Sequence, residues 1–311
     1  MKTRCNGLPY NRLYGIAGIT VKVESEQPIT GSTFQSKFKL FEINSPGQDV
    51  ICISHYFSMP ERKNISFGET MYQKSPWTIY RSPDSWIFEG FSSDEDKDIQ
   101  KMIAIFDRDY SHARIYHDGP EVYLKGSLPS LTMFPTDQLF LANVLTTREA
   151  FYIHAGGVRL DGQGLLFIGH ANAGKSTMVS MLEGSAEVLS DDRMIIRNWP
   201  DGFQIHGNWS HGEVPIVSRE SAGLRAMFFL EQAIENRIIP LENRHDILKR
   251  LLARLIKPYI TYQWWNNSLA VVEKLISDVP CYIIEFDKSG RVVELLKRFC
   301  AAPDKTFLSG E

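Results

Sequence analysis

The residues with most chemistry to offer lie in one stretch, Gly169-His170-Ala171-Asn172-Ala173-Gly174-Lys175-Ser176-Thr177. Two glycines five apart, followed at once by Lys and Ser, form the pattern of a loop that wraps its backbone around phosphate. Gly169 and Gly174 permit backbone angles and close approaches that a Cβ would block. The N–H groups of the loop, from Asn172 and Ala173 through Thr177, and the positive end of a following helix then face an anion. Lys175 has the reach for the β- and γ-phosphates, and the Ser176 hydroxyl can ligate Mg²⁺. Fifteen residues after Ser176, Asp191 and Asp192 stand side by side. One carboxylate of such a pair can hold Mg²⁺. The other can accept the proton of an attacking hydroxyl, which phosphoryl transfer needs and simple nucleotide binding does not.

Four further residues join these. His154 ends a short apolar run and can reach the same edge, to tune Asp191 or touch phosphate. Glu213, in a polar glycine-rich segment from Gly207, is a second candidate metal ligand beside Ser176 and Asp192. Arg219 and Arg225 are candidates to neutralise charge on a transferred phosphoryl group. The motifs of competing phosphate-loop classes are missing: there is no Asn-Lys-x-Asp guanine-reading motif, and the terminal Leu308-Ser309-Gly310-Glu311 lies too late to be a transporter signature.

These groups need strands to present them. The run Leu165–Ile168 reads as the strand before the loop, and Met178, Val179, Met181 and Leu182 recur at helical spacing after it. Glu187–Ser190 reads as a strand delivering the Asp pair at its C-terminal end, where ligands of α/β sheets collect. Around them come strands at 151–154 and 158–160 separated by Gly156-Gly157, a hairpin of 194–197 with 203–206, and a buried strand at 224–230. A helix is expected over 245–256 and another capped by Ser268; a strand at 281–286 and a last helix through Leu295 and Leu296 follow. The first half differs. Runs of β-branched and aromatic residues at 16–23, 38–43 and 50–56, and hairpins of 77–80 with 85–91 and 113–116 with 121–124, predict a β-rich body. Ser92–Asp98 reads as an acidic solvated loop or helix start. His55, His112 and His117 have no metal-ligand spacing and read as structural. Thr136-Asp137 reads as a helix cap, and the change in pattern there places a boundary. The expected organisation is a β-rich domain over 1–135, an α/β domain over 136–300 and a loose tail over 301–311.

Composition bounds the partners. At 43% hydrophobic and 23% charged residues the chain is globular in type. A net charge of −3 gives no electrostatic ground for nucleic acid or a membrane surface. No apolar run approaches a membrane span and the N-terminus lacks an apolar signal core, so a cytoplasmic protein is expected. Four scattered cysteines fit reduced thiols. Association into a homo-oligomer is compatible with the sequence.

From Tyr152 to Leu296 the chain resembles the HPr kinase-like proteins of the phosphoenolpyruvate-carboxykinase-like superfamily of phosphate-loop folds. The resemblance rests on Ile153-His154-Ala155-Gly156-Gly157-Val158, the loop, Leu189-Ser190-Asp191-Asp192, the 207–213 segment, the 224–233 segment and Val279-Pro280-Cys281-Tyr282. It implies an α/β P-loop catalytic domain behind an N-terminal β-rich (α+β) domain. It also implies that His154 and Asp191 cooperate as catalytic base, that Lys175 and Ser176 bind phosphate and Mg²⁺, and that a downstream carboxylate assists the metal. The family's protein-phosphorylating members carry a Glu where this chain has Gln204, so either Glu213 supplies that carboxylate or it is absent. The front half resembles that of the HPr-kinase-related proteins of modified-peptide pathways, not that of the HPr-specific enzymes. The activity so implied is an ATP- and Mg²⁺-dependent kinase acting on a serine of a peptide or protein, which the β-rich half would select with rings such as Tyr72, Trp77, Tyr80 and Trp86. A small-molecule kinase and a non-catalytic nucleotide-gated module are the alternatives.

Overall fold

In the computed structural model, which describes residues 5–74, 77–90, 101–132, 137–258 and 261–302, the chain divides into two units, Met1–Val144 and Leu145–Glu311. The first is built on one mixed sheet of β1 (Tyr10–Ile16), β2 (Ile19–Ser25), β3 (Asp49–Tyr56), β4 (Glu69–Lys74), β5 (Trp77–Arg81), β6 (Ser85–Gly90), β7 (Met102–Asp107) and β8 (His112–His117). Their order is β1-β2-β3-β8-β7-β6-β5-β4. Strands β2, β3 and β8 run parallel. Several local expectations are corrected. Residues 36–41 form a 3₁₀ helix, not a strand, because Phe38 and Phe41 recur at its three-residue period and both are buried. Residues 121–125 form helix α1 (Glu121–Lys125), ended by Gly126 at φ 79°, not the return strand of a hairpin. Trp86 is core, Trp77 and Tyr80 are half-buried, and of the four rings Tyr72 alone is exposed. The acidic stretch 92–98, Thr136 and the tail from 303 lie outside the described residues.

Two cysteines are not free thiols. Cys5 and Cys52 are joined in a disulfide across 47 residues, with Cα atoms 5.7 Å apart. Only the fold brings them together, and spacing along the chain could not show it. The four-thiol ground for a reducing compartment goes with it. Cys281 and Cys300 are free, and burial pushes their thiols up to about 12 and about 11.

The histidines of this unit are buried. His55 Nε2 lies 2.9 Å from the Leu131 carbonyl and must donate to it. His55 Nδ1 is then an acceptor, so His117 Nε2 donates to it across 3.0 Å. Both rings are neutral in this arrangement, and the His117 Nδ1 without a partner is the remaining bare lone pair. Burial lowers His117 to about 4 and His55 well below the histidine range. The unfolded chain takes up these protons near pH 6.5 and the folded one does not. Stability is therefore present above pH 6.5 and falls as the pH drops toward 4, at about 1.4 kcal/mol per pH unit for each histidine. Urea midpoints measured between pH 7.5 and 4.5 should fall accordingly. His117→Gln, which keeps a donor toward His55 and does not titrate, should flatten the slope by about one proton; an unchanged slope would contradict the neutral pair.

Helix α2 (Gln138–Thr146) follows Asp137, whose carbonyl accepts from Leu141 N at 2.8 Å. The Asp137 carboxylate binds Leu131 N, Thr132 N and Thr132 Oγ1, tying down the preceding loop instead of capping its own helix. The second unit has β9 (Ala150–Leu160), β10 (Gln163–Ile168), α3 (Lys175–Leu182), β11 (Glu187–Ser190), β12 (Arg193–Trp199), β13 (Gly202–His206), β14 (Ser221–Gln232), β15 (Arg237–Pro240), α4 (Arg244–Leu252), α5 (Tyr262–Asp278), β16 (Cys281–Phe286) and α6 (Val292–Ala301). The two longest strands organise it. One end of β9 and one end of β14 pair with the hairpin β12–β13, and their other ends flank β10. The expected break at Gly156-Gly157 does not occur. A Cβ there would come within 2.9 Å of Val179 and 2.7 Å of Met194, so these glycines serve close packing and β9 runs straight through.

Alternation in β10 decides the layers. Leu166 and Ile168 enter a core with Ile247, Leu251, Val272 and Leu275 of α4 and α5. Leu165 and Phe167 enter another with Met178, Val179 and Leu182 of α3 and Leu296 and Phe299 of α6. A strand buried on both faces reads as a continuous apolar run, which is how it stands in the sequence. Helix α4 is capped by Asn243 and stops at Leu252, four residues short of the expected end. Helix α5 is capped by Thr261 and starts earlier than expected, with Ser268 buried inside it. No described helix is long and apolar enough to cross a membrane.

Candidate functional site

Strands β10 and β14 are parallel, and β11, antiparallel to β9, runs the same way. Their C-terminal ends open on one edge, and the loop 169–174 lies there between β10 and α3. Each glycine is forced by its surroundings. A Cβ on Gly169 would stand 2.5 Å from that of Ala173. Gly174 has φ 96°, and a Cβ there would meet the Phe286 ring at 2.8 Å. Asn172 adopts φ 65°, a conformation asparagine tolerates best among larger residues, and the Gln232 amide holds its carbonyl at 2.9 Å. Lys175 begins the helix with its ammonium folded back on the Gly169 and His170 carbonyls at 3.3 and 3.2 Å. Burial lowers the lysine's pKa, Asp192 pulls it back up, and the Arg254 charge pushes it down again.

The two carboxylates occupy different environments. Asp191 is 1% exposed. It accepts from Ser176 Oγ at 3.3 Å and from the backbone N–H groups of Gly212 and Val214 at 2.8 and 2.9 Å. Gly212 fits because a Cβ would fall 2.8 Å from the Asp191 carboxylate. Asp192 is half-buried and open to the edge. His154 Nδ1 lies 3.8 Å from it, an ion-pair distance longer than a hydrogen bond, and Arg193 lies 3.3 Å away. His154 first, and Arg193 and Lys175 with it, hold the Asp192 carboxyl below the usual carboxylate range against the opposing effect of burial.

The structure thus gathers Lys175, Ser176, Asp191, Asp192 and His154 at the loop. Glu213 is on the segment pinned to Asp191, with an exposed side chain within electrostatic reach of Lys175. Gln204 is engaged elsewhere, its amide donating to Asp201. Arg225 is not brought in. It is the extra residue of a bulge at the start of β10 and β14, about 13 Å of strand from the loop edge. Its guanidinium donates to the Ala302 carbonyl and lies over Phe299. Arg219 is exposed beside Glu220. Arginine type alone, without a register, misplaced Arg225.

Arg254 is the residue that sequence reasoning missed. The segment after α4 pairs with β9 across the open end of β10: His154 N donates to Arg254 O, Ile256 N to Tyr152 O, and Leu255 bridges to Ile153. Arg254 therefore sits beside the loop, half-buried, and its side chain makes no hydrogen bond or ion pair among the described residues. The amphipathic pattern of 245–256 hid it, because it reads there as the polar face of a helix.

The donor set suits a hard cation. Ser176 Oγ and Asp191 supply two oxygens, and Mg²⁺ in phosphate sites takes one or two protein oxygens and completes its shell with phosphates and water. Among the described residues no three of His, Cys, Asp and Glu converge on a metal, so Asp192 and Glu213 do not form a cage with Asp191.

Comparison with solved structures finds the HPr(Ser) kinase/phosphatase from Coxiella burnetii at 12% identity and a TM-score of 0.28, over 48% of this chain and 93% of that one. A superposition that loose supports no argument about activity. No curated protein sequence matches the chain. Residues 138–300 match the family described as SynChlorMet cassette protein ScmC. That span takes in β10, the loop, the paired carboxylates and Arg254, and it is more than half of the 311 residues; the chain belongs to this family.

Proposed function

We propose that the second unit is a Mg²⁺-dependent kinase that transfers the γ-phosphoryl group of ATP to a serine hydroxyl of a peptide or protein. The observation that carries this reading is the split between the carboxylates. Asp191 is buried against the Ser176 hydroxyl, while Asp192 stands open beside His154 at the same loop edge. A phosphate loop with a Ser–Asp pair is the arrangement that holds Mg²⁺, which when bound neutralises charge on the β- and γ-phosphates. Asp191 would hold it with Ser176, and Asp192 is left free for the proton. This reverses the order that the family resemblance implies. Asp192 takes the proton of the acceptor hydroxyl, whose oxygen forms a bond to the γ-phosphorus. The bond from that phosphorus to the bridging oxygen breaks, and ADP leaves with the electron pair. Lys175 and Arg254 steady the charge on the transferring group. The family description, a cassette protein, is in keeping with an acceptor supplied by another member of the set. In this reading the β-rich unit selects that acceptor.

Mass spectrometry after incubation with Mg²⁺–ATP, a serine-peptide library and a panel of small hydroxyl compounds tests the reading. A phosphoserine product is expected. Phosphorylation of small compounds only would move the acceptor class, and ATP binding without any product would leave a nucleotide-gated module. In the same assay Arg254→Gln should lower the transfer rate by about 10²-fold, the scale for removing one stabilising donor. A wild-type rate would remove Arg254 from the site.

A further inference from the structure

If Lys175 reaches the β- and γ-phosphates and Ser176 holds the metal, the α-phosphate and the nucleoside must leave the loop past Gly174 and Thr177. A cavity of about 380 Å³ opens there. It is lined by Gly174 and Thr177, by Ala233 and Ile234 just beyond β14, and by Phe286 and Lys288 at the end of β16. None of Asp191, Asp192 or His154 lines it. Cavities of about 770 and 530 Å³ elsewhere in the unit include no residue of the loop.

The lining offers apolar surface to a flat body. Ile234 stands 89% exposed at the rim, a cost in water that a ring laid against it would offset. Phe286 is buried and packs on Gly174, where a larger residue would collide with the ring. Lys288 also lines the cavity and is exposed, with no partner among the described residues. The polar groups around it are engaged already. Arg291 is held by Asp287 and Ser289, and the Gln232 amide by Asn172. The volume falls within the ordinary range for small-molecule sites, and with the phosphates on the loop only a base and a sugar need fit.

We propose that this cavity receives the base and ribose of the nucleotide whose phosphates lie on the 169–174 loop, with the base against Ile234 and Ala233. The proposal rests on the phosphate-loop reading, and its test separates the two. Calorimetric titration of the full chain with Mg²⁺–ATP and with Mg²⁺–tripolyphosphate compares a ligand that has a nucleoside with one that lacks it. The wild type should bind ATP at least about tenfold more tightly. Ala233→Trp, which fills the cavity, should reduce ATP affinity to that of tripolyphosphate and leave tripolyphosphate unchanged. Ile234→Ser should weaken ATP several-fold; its side chain is in solvent and its loss cannot unfold the protein, so it decides if Ala233→Trp misfolds. Equal binding of the two ligands by the wild type, or wild-type ATP affinity in Ile234→Ser, overturns the cavity while the loop reading stands. Binding of neither ligand by the wild type overturns both.

Discussion

Lys175→Ala is expected to weaken Mg²⁺–ATP binding about tenfold to a hundredfold and to slow phosphoryl transfer about 10²- to 10³-fold. The first figure is the worth of one charge-assisted contact to phosphate, the second that of a lost transition-state donor. The fold should not suffer. Without an anion the Lys175 ammonium has two backbone carbonyls as partners at 3.2 and 3.3 Å, while burial and the Arg254 charge both act against it. Removing it forgoes those two hydrogen bonds but relieves the burial cost, so the variant should stay folded, with a stability change of about 1 kcal/mol. Asp192, Asp191 and Glu213 act the other way on Lys175, and in the proposed reading a bound phosphate joins them as its partner. Calorimetry with Mg²⁺–ATP, beside a thermal unfolding curve, measures both effects. Wild-type ATP affinity in the variant would sink the phosphate-loop reading whatever the melting curve showed.

What was legible in the sequence is what local signals encode. Leu165–Ile168 could be read as a strand because burial on both faces makes it apolar throughout, and the glycines of the loop stand where a Cβ would collide. The Asp pair at the end of β11 was legible for the same reason: a short apolar run has to end somewhere, and it ends in charge. The rest depends on partners distant in sequence. Gly156-Gly157 reads as a turn until Val179 and Met194 are seen packed against it. Arg254 reads as helix surface until its segment is seen paired with β9. The difference between Asp191 and Asp192 is invisible in two identical adjacent letters. It is made by Gly212 and Val214, more than twenty residues downstream, whose N–H groups close over one carboxylate and leave the other open.

That difference sets the second large effect. Asp192→Asn should lower the transfer rate about 10²- to 10⁴-fold, the range for a positioned general base, and leave Mg²⁺–ATP affinity close to that of the wild type. The amide keeps the volume and can still face His154, but it takes no proton. Asp191→Asn should behave differently in two ways. An amide NH₂ would confront the Gly212 or Val214 N–H or the Ser176 hydroxyl, leaving buried donors facing donors, at about 1–3 kcal/mol of stability. It would also remove the carboxylate expected to share the metal with Ser176, so ATP binding should lose its dependence on Mg²⁺. Thermal unfolding, ATP titration with and without Mg²⁺, and single-turnover transfer separate the variants. If Asp191→Asn melts with the wild type, keeps Mg²⁺-dependent binding and loses turnover alone, Asp191 is the base, as the family resemblance implies. The buried hydrogen bonds around it would then have to open during each cycle.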